Sequence, residues 1–81
     1  MNHRLVPRGA LQEKQMERMR LAARAQGLIV GIKQIVQPAS VVPLKDLQTT
    51  EALELISDLH NLRRLYLAIC RDIEEIEKEL G

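Results

Sequence analysis

One pattern constrains this chain more than any other. Ala52, Leu55, Leu59, Leu62, Tyr66, Ile69, Ile73, Ile76 and Leu80 are spaced by alternating steps of 3 and 4 without a break. A seam of this kind, sustained over more than four heptads, packs one helix against others by knobs into holes. It predicts a long helix over residues 50–80. It speaks of architecture and says nothing of chemistry.

A second, weaker seam lies upstream at Leu21, Ala25, Leu28, Ile32 and Ile35, stepping by 4, 3, 4 and 3. Ala22, Ile29 and Val36 sit one residue on and widen its stripe, and Val30 lies off it. Projected backwards, the seam meets Arg18 and Lys14 before reaching Leu11, with Met16 and Met19 to the side. A first helix is therefore expected over residues 10–37, after the breakers Pro7 and Gly9 and before Pro38. Gly27 and Gly31 are four apart, a spacing that lets another helix approach closely.

Residues 1–9 read as a tail. Within it, Leu5-Val6-Pro7-Arg8-Gly9 resembles the thrombin recognition sequence of expression vectors. No polyhistidine tract accompanies it, and Ala10 stands where Ser is usual, so native and vector origins both stay open. Residues 38–49 are the connection, with Pro38 and Pro43 bracketing an expected extended segment. It is long for a helical hairpin and unusually apolar, with Val41, Val42, Leu44 and Leu47. Two readings follow: a plug over the end of the bundle, or an exposed patch for a protein partner. Thr49 or Thr50 is expected to cap the second helix, with Glu51 and Glu54 near its positive end.

Two long helices and one connection make residues 10–81 a single all-α domain, an antiparallel hairpin. Two helices cannot cover more than one stripe each, and here the stripe is wider. Leu53, Ile56, Leu65, Leu67 and Cys70 flank the second seam. Pairing two hairpins into a four-helix bundle would cover them, and a symmetric dimer is the simplest closed solution. The expected self-association surface is Leu53, Ile56, Leu59, Leu62, Leu65, Tyr66, Ile69, Ile73 and Ile76. Size supports this, since a chain of 81 residues has a marginal core of its own. Cys70 is the sole cysteine, so no disulfide closes within the chain. The apolar residues are almost all aliphatic, with neither Trp nor Phe and only Tyr66 aromatic. That bias suits a bundle better than a β-sandwich.

Charge is balanced overall at +1 but not along the chain. Residues 1–24 hold six basic and two acidic side chains, and residues 72–81 hold five acidic and one basic. In an antiparallel hairpin these ends adjoin, so Lys14, Arg18 and Arg20 are expected near Asp72, Glu75, Glu77 and Glu79. Exposed pairs of this sort contribute about 0–1 kcal/mol each and act mainly on register.

The residues needed for catalysis do not assemble. Cys70 lacks a base within reach, because His60 lies ten residues earlier along the same helix. The residue three before His60 is Ser57, so the Glu-x-x-His pair of di-iron bundles is absent. There is no glycine-rich phosphate loop. The sequence predicts no enzyme, no cofactor and no metal.

It predicts instead a protein–protein interaction or adaptor module acting as a homo-oligomer with an unidentified protein partner. The first alternative is a nucleic-acid-binding regulator, with Lys14, Arg18, Arg20, Arg24, Arg63, Arg64 and Arg71 on phosphates. Against it, the aromatic stacking residues of such surfaces are missing. A second alternative is a small chaperone that grips a client with the apolar connection. No apolar run approaches the ~20 residues of a bilayer span. No apolar core follows Arg4 and Arg8, so a secretory signal is not expected, and the expected location is the cytoplasm.

Overall fold

The computed structural model describes the backbone of residues 6–81 and the side chains from Gly9 onward. Two helices account for most of it, α1 at Val6–Val36 and α2 at Thr49–Leu80. They run antiparallel along each other as a rod of 64 × 15 × 14 Å. The all-α hairpin is therefore the fold.

The heptad seam of α2 forms the core. Leu62, Ile69 and Ile73 are buried, and Ala52, Leu55, Leu59, Tyr66 and Ile76 are half-buried. Leu80, in the last turn, is exposed. Among the described side chains of α1 only Leu21 is buried, with Leu11, Ala25 and Leu28 packed against the same cluster. Arg18 and Lys14 occupy seam positions and are half-buried. Their aliphatic stems extend the seam where α1 has no aliphatic residue, while their charged heads stay wet.

Two pairs fix the register. Lys14 Nζ lies 3.2 Å from Asp72 Oδ2, and a Cβ added at Gly31 would lie 3.3 Å from Leu55 Cδ1. Each step along α1 thus matches one step back along α2, which places Met19 level with Leu67 and Lys33 level with Leu53. The expected meeting of opposite charges is present, but among the described residues it consists of Lys14–Asp72 alone. Arg18 and Arg20 make no ion pair with the acids of α2.

The ends of the helices differ from expectation. α1 starts at Val6, not at residue 10, so Pro7 and Gly9 lie inside it. Proline is tolerated in a first turn, where its missing N–H has no intrahelical partner to lose, and one glycine costs only about 1 kcal/mol. Of the expected tail, residues 1–5 lie outside the described residues. α1 ends at Val36, and Gln37–Ser40 tightens directly into a short 3-10 turn. Val36 keeps helical angles of φ −79° and ψ −38°, and Val41 N–H donates to the Pro38 carbonyl at 3.0 Å. A second short turn, Leu44–Asp46, follows Pro43. The connection is therefore coiled back on itself rather than extended, because each proline opens a turn that needs no N–H from it.

Neither threonine caps α2. Gln48 takes that position, its carbonyl accepts from Ala52 N–H at 3.0 Å, and no side chain bonds the free donors. Glu51 lies in the first turn, where it favours the positive end of the helix dipole, and Glu54 falls beyond it. At the other end Gly81 N–H donates to the Glu77 carbonyl at 2.9 Å.

Candidate interaction surface

A helix buries one stripe against one neighbour and leaves the residues on either edge of that stripe to solvent. In α2 three seam residues are buried inside the hairpin and most of the others are half-buried. Leu62, Ile69 and Ile73 face α1, so they are not available to a second partner, although the sequence placed them on the self-association surface. The residues beside them are open: Leu53 is 70% exposed, Leu65 55%, Ile56 48% and Leu67 38%.

These four do not form one surface. Ile56 lines a groove of about 510 Å³ between the helices, together with Ala22, Gln26, His60 and Arg63. Leu65 lines a second groove of about 430 Å³ on the opposite side, with Arg24, Gly27, Asp58 and Asn61. The spacing carries the distinction. A residue one after the seam residue Leu55 falls on one edge, and a residue one before the seam residue Tyr66 falls on the other. Leu53 and Leu67 keep helical step with Ile56, and Cys70 falls one heptad beyond Arg63, so all three share its edge. Across the groove, Met19 and Val36 keep step with Ala22 and are exposed. One edge of the hairpin thus carries a broken apolar strip from the middle to the connection, while the other offers a single large aliphatic residue of α2.

The expected partner patch in the connection also divides. Val41 and Leu44 are 81% and 83% exposed, whereas Val42 and Leu47 are half-buried. Val42 and Leu47 line a shallow cleft over Ile35, as a plug would. Val41 and Leu44 cover nothing.

The basic residues offered for phosphate contact are spread around the rod. Lys14 is paired with Asp72, Arg18 lies in the seam, and Arg63 and Arg24 line opposite grooves. Arg20 is exposed on α1. Arg64 and Arg71, one heptad apart, are exposed on the outer face of α2. They do not converge on one face.

Candidate chemical groups are likewise apart. His60 is exposed at the rim of the larger groove, and Cys70 is a free, half-buried thiol nearly three turns further along α2. Among the described residues, no three His, Cys, Asp or Glu side chains gather where they could hold a metal ion. Among the same residues, no helix is long and apolar enough to cross a membrane. Comparison with known proteins finds no matching family model, no similar curated protein and no similar solved structure.

Proposed function

We propose that this chain is a non-catalytic helical interaction module that works as a homo-oligomer. Two hairpins close into a four-helix bundle, and the bundle serves as an adaptor for a protein partner. One observation carries the reading. Leu62, Ile69 and Ile73 of the α2 seam are buried within the hairpin, yet Leu53, Ile56 and Leu67 remain exposed along one edge of it and Leu65 on the other. Three large aliphatic residues in helical step along one edge of so small a chain mark a surface that another protein covers. Val41 and Leu44, exposed in the connection and outside both grooves, are the residues proposed to meet the partner.

Light scattering on the purified chain tests the oligomer: a mass of twice 9.2 kDa supports it, and a folded species of 9.2 kDa overturns it. Copurification from native cells tests the adaptor. A partner retained by the native chain and lost on replacing Val41 and Leu44 with Ser supports it. Binding to generic RNA at low salt, weakening steeply as salt rises, would favour the regulator instead.

A further inference from the structure

We infer that the groove beside Ile56 binds a small amphipathic carboxylate, a molecule with one acidic group on an apolar body. This goes beyond the interaction reading and does not rest on it, because Leu53 and Leu67 lie along the same edge without lining the groove.

Both helices build the groove. Leu21, Leu59 and Tyr66 come from the two seams and form its floor, and Tyr66 is the chain's single aromatic residue. Gln26, His60 and Arg63, all exposed, stand at its rim. Its volume of about 510 Å³ falls within the range of about 300–1,000 Å³ for small-molecule sites, which are mostly apolar with a few polar groups. On α2 it runs from Ile56 to Tyr66, about 15 Å at the helical rise. That length suits one small molecule, whereas a docked helix would extend past both ends onto Leu53 and Leu67.

The placement of charge selects the polar group of the ligand. The chain has eleven acidic side chains. Glu13 and Glu17 on α1 each come one before a seam position, and so do Glu51, Glu54, Asp58, Asp72, Glu75 and Glu79 on α2. All eight therefore fall on the edge of Leu65. Asp58 lines the groove on that side, together with Arg24. Only Glu74 and Glu77 share the Ile56 edge, and Asp46 belongs to the connection. These three lie about 16 Å or more from Arg63 along the rod, about two Debye lengths at physiological salt. From Met19 to Lys33 on α1, and from Leu53 to Cys70 on α2, this side of the hairpin holds cations and no acid.

Arg63 makes no ion pair among the described residues. Its guanidinium, at the rim of an apolar groove, matches the flat fork of a carboxylate with two parallel hydrogen bonds. His60, one turn back on the same face, and Gln26, on the facing helix, bring further polar groups to the same groove. The apolar body of the ligand then covers Leu21, Leu59 and Tyr66 while its acid stays at the wet rim.

Decanoate, kept below the concentration at which it forms micelles, is the probe, titrated into the isotope-labelled full chain. Saturable binding of one molecule per chain is expected, with amide shifts gathered at Ala22, Gln26, His60 and Arg63. Decanol, which has the same tail and no charge, is expected to bind about tenfold more weakly, and decyltrimethylammonium more weakly still. Arg63→Gln, at an exposed position, is expected to weaken decanoate about tenfold and leave decanol unchanged. Arg24→Gln, in the other groove, is expected to change neither. Failure of decanoate to saturate, or equal affinity for decyltrimethylammonium, overturns the inference. Shifts gathered on the Leu65 edge, or equal losses in the two arginine variants, overturn it as well. A folded monomer that binds decanoate as expected supports this site while overturning the homo-oligomer.

Discussion

Ile73 is 3% exposed and belongs to the cluster of Leu21, Leu62 and Ile69, in a hairpin that buries few other side chains. Ile73→Ala is expected to cost about 2–5 kcal/mol, read as a lower denaturant midpoint at unchanged slope. Lys14–Asp72 lies at the other extreme. Both side chains are partly solvated, so Asp72→Asn is expected to shift stability by less than about 1 kcal/mol. The two glycines of α1 separate in the structure. A Cβ at Gly27 meets nothing within 4 Å, whereas one at Gly31 meets the tip of Leu55 at 3.3 Å. Gly27→Ala is expected to gain about 1 kcal/mol from helix propensity, and Gly31→Ala clearly less. Thermal melts of the two variants compare them. The 27/31 spacing suggested one role for both residues, and only Gly31 has it. Which glycine faces the neighbour depends on register, and register is set by contacts far from either.

At the scale of elements, the two long helices were legible because aliphatic residues keep step over many turns, and that signal survives local breakers. Pro7, Gly9 and Pro38 were overweighted for the same reason: a proline limits its own N–H and its predecessor, and either end of a helix can absorb that. The caps were less legible. Gln48 precedes α2 without a side-chain bond, although Thr49 and Thr50 are the better cap formers by type. The connection mixes two functions that composition alone cannot separate. Val42→Ser with Leu47→Ser is expected to lower the melting temperature, because both side chains lie against the helix ends. Val41→Ser with Leu44→Ser is expected to leave it within about 0.5 kcal/mol of the parent. Equal losses from the two pairs would contradict a connection divided into a plug and an exposed face.

The whole molecule is a thin rod with more aliphatic surface than its two helices can cover. The sequence revealed the excess, since Leu53, Ile56, Leu65 and Leu67 sit outside the seam. It did not show directly that Ile56 and Leu65 lie on opposite edges, because both simply adjoin the seam in a linear reading. Leu53, Ile56 and Leu67 are aliphatic and exposed, so an association through them is expected to survive raised salt largely intact. Leu53→Ala separates the lone hairpin from the assembly. In a lone hairpin it changes stability by less than about 0.5 kcal/mol, whereas in the assembly it weakens association. The most direct test is sedimentation equilibrium across a range of protein concentrations. The account predicts a species of twice 9.2 kDa that persists at high salt, and a stably folded 9.2 kDa monomer at all concentrations would contradict it.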